Sequence, residues 1–349
     1  MTHARLLQRY GILLAWVAVI ALFGVLVGEL FLRASNWQII FGSQAVLVVV
    51  TLGLLLPLTA GEYDLSVAAT LTFSSMLVAV LNVDHGVPIG LAVLLALIGG
   101  ALVGLFNAFA IVVIGIESII ATLGTATVLQ GLILWMSNQQ TITGVSPTLT
   151  DVLYRTEIFG IPLAFYCALC LTIGMWYFLQ YTPAGQRLLY VGRGRNVALL
   201  SGLRVNRIRT WSLVGAGVIS ALAGVILLSN TGSADTDSGL TFFLPAFAAA
   251  FLGSTSVTPG RFNAWGTFFA VYFLATGVSG LQLLGTQSFV QQLFYGSALL
   301  IAVSVSRIEA RYRMSKAELP TDGGETEGRG LEGATPARVG IDTSQGSGE

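Results

Sequence analysis

Few side chains in this sequence could carry out covalent chemistry. Cys167 and Cys170 have the C-x-x-C spacing of redox and zinc sites, but both fall inside a long uncharged run. Buried core thiols are the more common use of cysteine in such a run. Both histidines, His3 and His85, lie outside the apolar runs, and no Ser/His, paired-carboxylate or metal-ligand set shares one position along them. We therefore predict no catalytic residue, no metal site and no enzyme activity in this chain.

Charge is concentrated in residues 181–210, which we call the basic segment. It contains no acidic residue and lies between two long uncharged runs. Guanidinium groups are costly to place in hydrocarbon, and arginine-rich connections between membrane spans stay on the cytoplasmic side. The basic segment is therefore expected to lie inside the cell. Its six arginines are Arg187, Arg193, Arg195, Arg204, Arg207 and Arg209.

Residues 196–202, NVALLSG, form a candidate docking helix within the basic segment. Ala198 and Gly202 are one helical turn apart, so a short helix would offer a smooth face to a partner. The pattern resembles the coupling loop of ATP-binding-cassette (ABC) importer permeases, in which an alanine and a glycine so spaced seat in a groove of the ATPase. By this resemblance Arg193, Arg195, Asn196, Ala198 and Gly202 are candidate ATPase-coupling residues. The alternative is a solvated basic loop that binds lipid headgroups.

Two acidic residues lie at the edges of apolar runs. Asp64 comes two residues before Ser66, at the start of such a run. A carboxylate there can cap exposed N–H groups at the positive end of a helix, or it can take a direct part in gating or coupling. Glu117 precedes another run; an ionisable group there is a functional candidate by default, although a position at the membrane interface is less costly.

Amide and hydroxyl groups also occur inside two apolar runs. Asn107 lies in one run, and Thr122, Thr125 and Gln130 lie in the next. These four residues are candidates for lining a hydrophilic translocation pathway for a polyol. They could equally form hydrogen bonds between neighbouring helices, and the sequence leaves both alternatives open.

The elements that must position these residues are membrane spans. Of the 349 residues, 54% are hydrophobic and only 10% are charged, against roughly 25% charged in an average soluble domain. We predict an all-α, polytopic membrane protein with about ten transmembrane helices. The predicted spans cover residues 10–28, 39–59, 65–82, 87–114, 118–135, 161–180, 211–228 and 240–252, and two more lie in 262–306 and divide near Gly285.

Ten spans with a cytoplasmic amino terminus place the basic segment and the carboxyl terminus in the cytoplasm as well. Only Arg33 and Arg155 then face outward. The thirteen basic residues on inner segments are Arg5, Arg9, the six arginines of the basic segment, Arg261, Arg307, Arg311, Arg313 and Lys316. We predict a cytoplasmic amino terminus at 1–9, a permease domain at 10–315 and a disordered cytoplasmic tail at 316–349, which has almost no apolar residue.

Two further functions are excluded by the basic residues. Nucleic-acid binding has no support, because the arginines flank spans instead of forming one stripe. The only lysine, Lys316, follows a serine, so the Gly-Lys pair of a Walker A phosphate loop is absent. We therefore predict no cofactor in this chain. If ATP drives transport, it binds to a partner subunit.

Three segments together resemble the branched family of permeases that serves ribose and related sugars. Residues 58–67, LTAGEYDLSV, resemble the family's Gly-x-x-Asp-Leu-Ser-Val signature. The second segment is Asn107 followed by residues 119–125, IIATLGT, and Gly131. The third is the basic segment followed by residues 222–224, LAG, and 253–256, GSTS. The resemblance runs in order from about residue 40 to residue 306.

This resemblance implies a permease subunit of an ATP-driven ABC importer for a monosaccharide or a similar small polar solute, located in the cell (inner) membrane. The partners it implies are cytoplasmic ABC ATPase subunits, an extracytoplasmic solute-binding protein, a second permease copy or homologue, and membrane lipid. The rival hypothesis is a secondary transporter driven by an ion gradient. Such transporters usually place carboxylates or histidine at the bilayer midplane, and here no Asp or Glu occupies the middle of a predicted span.

Overall fold

A computed structural model of the chain describes the backbone of residues 3–317 and the side chains of residues 10–305. Met1–Ala310 forms one compact unit; the second unit, Arg311–Glu349, is described only as far as Ala317. The predicted disordered tail therefore lies almost wholly outside the described residues. The side chains of the basic residues before the first span and after the last one also lie outside the described residues; these are Arg5, Arg9, Arg307, Arg311, Arg313 and Lys316.

Helices make up almost all of the regular structure in the described part of the chain. They are α1 (His3–Leu26), α2 (Glu29–Leu32), α3 (Ala34–Ser43), α4 (Ala45–Ala60), α5 (Val67–Ala79), α6 (Ile89–Ala108), α7 (Ser118–Ser137), α8 (Pro147–Thr150), α9 (Leu163–Tyr181), α10 (Pro183–Arg193), α11 (Arg195–Leu200), α12 (Val205–Thr231), α13 (Leu240–Ser254), α14 (Ala264–Leu283) and α15 (Ser288–Ala317). Short π-helical turns occupy Val80–Asp84, Phe109–Ile114 and Asp151–Arg155. The strands have two residues each: β1 (Ile142–Thr143), β2 (Glu157–Ile158), β3 (Ile161–Pro162) and β4 (Ser233–Ala234).

The prediction of an all-α polytopic membrane protein is confirmed. Within the described residues, eight helical segments are long and apolar enough to cross a membrane. Two shorter apolar helices, Tyr10–Leu26 and Leu240–Ser254, occupy the places of the first and eighth predicted spans. The long run near the carboxyl end divides where predicted, because α14 and α15 flank Gly285. The exact number of crossings stays a prediction.

Helix α4 forms the centre of the bundle, and every one of its residues is buried. Its sequence is apolar on all sides, as a helix surrounded by other helices requires. Helices α5, α12 and α14 pack against α4. On the outside, α6, α7, α9 and α15 expose large apolar side chains, as contact with lipid requires; examples are Leu102, Trp135, Ile173 and Leu300.

Contacts between the connections divide them into two ends of the bundle. At one end β1 pairs antiparallel with β4, and Asn82 Oδ1 accepts a hydrogen bond of 2.9 Å from the N–H of Ser146. At the opposite end the connection between α4 and α5 meets the basic segment. Connections predicted to share a side of the membrane therefore share an end of the bundle. Which end faces the cytoplasm stays a prediction from the arginines.

The basic segment is mostly helical, which differs from the predicted connection with one short helix. Helix α10 begins after Thr182, whose Oγ1 accepts a hydrogen bond from the N–H of Gly185 at 3.1 Å. Helix α12 begins at Val205, before the predicted span at 211–228, and so includes Arg207 and Arg209. Hydropathy marks where the apolar residues begin, but a helix can continue into the interface because long arginine side chains reach water.

Candidate coupling site

Two buried carboxylates lie in residues 61–66, the connection between α4 and α5, which we call the acidic loop. Helix α4 ends at Gly61, whose φ of 79° is in the left-handed region that glycine adopts at helix ends. Glu62 and Asp64 follow, and both are only 2% exposed. Because a buried carboxylate without partners is costly, its partners identify what the loop is attached to.

Glu62 attaches the acidic loop to the basic segment. Its Oε1 accepts hydrogen bonds from Arg195 Nη2 at 2.6 Å and from Arg209 Nε at 2.5 Å. Arg195 Nη2 also donates to the carbonyl oxygen of Gly61 at 3.3 Å. Arg195 begins α11 and Arg209 lies in the first turns of α12, so one carboxylate holds both helices. The Arg209 side chain is 12% exposed, against 44% for Arg195, which makes Arg209 the more deeply buried partner.

Asp64 attaches the acidic loop to α5. Its Oδ1 accepts the backbone N–H of Ser66 at 2.9 Å and the hydroxyl of Ser66 at 2.6 Å, which is an Asx-turn directly before the helix. Asn107 Nδ2 on α6 donates to Ser66 Oγ at 2.8 Å and extends the network. Burial raises the pKa of Asp64 above its ordinary value, and the hydrogen bonds from Ser66 oppose that shift. The carboxylate thus binds the N–H of the residue before the helix; a role in gating stays a prediction.

Helix α7 holds the rest of the acidic loop. Ser118 Oγ accepts the N–H of Tyr63 at 3.2 Å, and Thr122 Oγ1 accepts the N–H of Leu65 at 3.0 Å. Both hydroxyls lie on the first turns of α7 and are buried. Backbone N–H groups that are shielded from water in an irregular segment need such partners, because an unpaired one is costly. The acidic loop is therefore fixed on one side to α6 and α7 and on the other to the basic segment.

The four residues predicted to line a passage do not lie together. Asn107 and Thr122 belong to the network around the acidic loop. Thr125 Oγ1 donates to the carbonyl oxygen of Ala121 in its own helix. Gln130 lies toward the opposite end of the bundle, where its Nε2 donates to Thr236 O and Asp237 Oδ1, both at 3.1 Å. The bonds of Asn107, Thr122 and Gln130 join helices and loops, whereas that of Thr125 stays within its helix; a role in translocation stays a prediction for all four residues.

Ala198 and Gly202 shape α11 and do not form one exposed face. Ala198 is buried and packs against Val191 and Val205. Gly202 has a φ of 77°, and its N–H donates to Leu199 O at 3.0 Å while the next N–H, of Leu203, donates to Ala198 O at 3.1 Å. This is a Schellman ending, in which glycine takes the left-handed position. The expected smooth face is replaced by an inward alanine and a helix-terminating glycine.

The exposed surface of α11 includes three large apolar side chains. Val197, Leu199 and Leu200 are 69%, 56% and 90% exposed, although they lie in the most charged part of the chain. Beside them, a cleft of about 710 Å³ lies between α10 and α11, with Arg193 in its lining. Arg193 and Asn196 are themselves exposed. Of the predicted coupling residues, these two face outward, whereas Arg195 is bound to the acidic loop.

Sequence reasoning missed Glu62 and Ser118 as members of the site. One signal could have found Glu62: the basic segment has no carboxylate of its own, and few acidic residues were predicted on its side of the membrane. Glu117, the other candidate there, is exposed just before α7, where an interfacial position is inexpensive. No sequence pattern marks Ser118, because its role depends on where the N–H of Tyr63 lies.

Comparisons with known proteins identify similar chains. Residues 36–303 match the family described as "Branched-chain amino acid transport system / permease component". The ribose import permease protein of Bacillus subtilis (strain 168) is 34% identical over 302 residues, which cover 86% of this chain and 93% of that protein. The autoinducer 2 import system permease protein of Escherichia coli (strain K12) is 31% identical over 313 residues, covering 87% and 94%. No solved structure gives a significant match.

Proposed function

Because this chain belongs to the branched-chain amino acid transport system permease family, we propose that it is the membrane subunit of an ATP-driven ABC importer for a monosaccharide or a similar small polar solute. The chain itself is a multi-pass permease of the cell membrane and a transport subunit, not an enzyme. Similarity to a ribose import permease and to an autoinducer 2 import permease supports a polar, sugar-like solute.

The observation that carries the proposal is the double attachment of Glu62 to Arg195 and Arg209. A partner that moves α11 pulls on Arg195, and through Glu62 the motion reaches the acidic loop. The acidic loop is bonded to Ser118 and Thr122 of α7 and, through Ser66, to Asn107 of α6. A short, buried polar path thus connects the surface of the basic segment to the helices of the bundle.

We propose that this surface docks a separate cytoplasmic ATPase. Val197 and Leu200 are exposed apolar side chains beside Arg193, and an exposed apolar patch with polar neighbours suits a protein partner better than water. ATP would bind to the ATPase, because this chain has no phosphate-binding lysine motif. An extracytoplasmic solute-binding protein at the opposite end, and a second permease copy or homologue, complete the proposed assembly.

One observation favours the rival, a transporter driven by an ion gradient. Asp64 is a buried carboxylate whose pKa is raised, as a proton-binding site requires. Its two hydrogen bonds from Ser66 give it a structural role that needs no proton exchange. The two functions differ in their energy source, so they can be separated directly.

The test is transport in proteoliposomes of the chain and the ATPase that co-purifies with it. The proposal expects sugar uptake that requires ATP on the side of the basic segment and that persists when an ionophore removes the proton gradient. Uptake by the permease alone, driven by an imposed pH gradient and lost in Asp64→Asn, would establish the rival.

A further inference from the structure

A long groove lies between α9, α10 and α12 and has a volume of about 930 Å³. Along α12 its lining extends from Arg207 to Ile219, roughly 18 Å at about 1.5 Å per helical residue. The part farthest from the charges is apolar and includes Leu171, Met175 and Ile219. The groove thus begins at a charged end and continues far along helices that cross the membrane.

Three arginines line the charged end of the groove: Arg187, Arg204 and Arg207. All three are exposed. Among the side chains that the structure describes, none of them forms an ion pair, in contrast to Arg195 and Arg209. Trp211 follows one turn farther along and is 63% exposed, in the position that tryptophan prefers at a membrane interface. The charge, the aromatic ring and the apolar depth follow one another as the layers of a bilayer do.

We propose that this groove binds one anionic phospholipid, with its headgroup phosphate against Arg187, Arg204 and Arg207 and an acyl chain along the apolar part. Basic pockets between transmembrane helices select such headgroups by charge. A soluble anion would use the arginines but not the apolar part of the groove.

The charged end is tested by fluorescence quenching of the full-length chain in mixed micelles. The probes are dibrominated phosphatidylglycerol and dibrominated phosphatidylcholine, and the signal is the quenching that disappears in Trp211→Phe. We expect the anionic lipid to quench at a much lower mole fraction than the neutral lipid. The combined variant Arg187→Gln/Arg204→Gln/Arg207→Gln should lose this preference, by about fivefold per arginine and roughly a hundredfold together. Arg193→Gln, an exposed arginine outside the groove, is the control and should keep it.

The apolar part is tested by filling it. A Cβ added to Gly174, which lines the groove, meets no atom within 4 Å, so Gly174→Leu introduces a side chain at an open position of the lining. Gly131 on α7 has the same free space outside the groove and provides the matched control, Gly131→Leu. Gly174→Leu should raise at least tenfold the mole fraction of brominated phosphatidylglycerol that gives half of the Trp211 quenching. Gly131→Leu should leave that mole fraction unchanged.

Four results would overturn the proposal. The first is equal quenching by the two lipids in the wild-type chain. The second is an unchanged preference in the triple arginine variant, and the third is an unchanged response in Gly174→Leu. The fourth is a disulfide between two copies carrying Gly174→Cys in a background without Cys167 and Cys170, which would assign the groove to a second permease copy. None of these measurements depends on import, so they are independent of the proposed transport function.

Discussion

Arg209 Nε donates a hydrogen bond of 2.5 Å to Glu62 Oε1 across 147 positions of sequence. This buried contact joins the first turns of α12 to the acidic loop, which precedes α5. Arg195 shares the same carboxylate oxygen from a more exposed position. The two arginines that bind Glu62 therefore differ in burial. Their contributions to the free energy of unfolding can be measured separately.

The first prediction concerns these two arginines. Arg209→Gln removes a buried charge partner and should destabilise the purified chain by about 3 kcal/mol, because Glu62 is left partly unpaired in the interior. Arg195→Gln should cost less than about 1 kcal/mol, since water screens its exposed guanidinium. The measurement is thermal unfolding in detergent for each single variant and for each combined with Glu62→Gln. Equal decreases in unfolding temperature for Arg209→Gln and Arg195→Gln would show that burial does not set the strength of these ion pairs.

The second prediction concerns Asp64. Asp64→Asn should fold well at neutral pH, because its amide oxygen can still accept both hydrogen bonds from Ser66, whereas Asp64→Leu leaves the N–H unpaired and should cost about 1 kcal/mol or more. Import should follow the same order. If Asp64→Asn abolishes import while its expression and assembly stay normal, the charge belongs to the transport mechanism.

The third prediction is the pH dependence that Asp64 produces. Burial raises its pKa in the folded chain above that in the unfolded chain, about 3.9. The stability it contributes is therefore complete below the unfolded pKa and is lost as pH rises through the folded pKa. The unfolding temperature of the wild type, measured relative to that of Asp64→Asn, should therefore fall as the pH rises from acidic to neutral. A difference in unfolding temperature between the two proteins that stays constant over that pH range would contradict the raised pKa of Asp64.

The fourth prediction concerns topology. In a background without Cys167 and Cys170, single cysteines at the exposed positions Ser201 and Thr148 should label oppositely in intact cells. Ser201 is a better probe than neighbouring Gly192, because a side chain at Gly192 would strike the backbone carbonyl of Thr59. An impermeant thiol reagent should reach only Thr148→Cys. Labelling of Ser201→Cys from outside would reverse the orientation inferred from the arginines.

Much of the fold could be predicted from the sequence because hydropathy records helix positions directly. The split of the long apolar run near Gly285 follows from apolar length and from glycine, and so does the short helix predicted at 240–252, which the structure extends to Leu240–Ser254. The start of α12 could not be found in this way, since Arg207 and Arg209 are polar but helical. Hydropathy marks residues in an apolar environment, whether protein or lipid, and a helix can begin before the first of them.

The site was less predictable because its contacts join distant parts of the chain. Asp64 and Ser66 are neighbours in sequence, and their hydrogen bonds follow from a local turn. The bond between Glu62 and Arg209 depends on how α4 and α12 pack, which no local pattern specifies. Ala198 illustrates the opposite error: its small size suggested an exposed face, but small residues also allow close packing within the chain.

The assignment of the basic segment as the coupling site can be tested by ATPase docking at Leu200, the most exposed of the apolar side chains on α11. Leu200→Asp places a charge in the proposed contact without touching the core. Arg204→Gln at the edge of the basic segment is the control, since an exposed charge contributes only about 0–1 kcal/mol. The measurement is co-purification of the ATPase with the tagged chain, together with uptake. We predict that Leu200→Asp reaches the membrane at the wild-type level but loses the ATPase and import, whereas Arg204→Gln keeps both. Normal ATPase retention and import by Leu200→Asp would contradict the assignment of the basic segment as the coupling site.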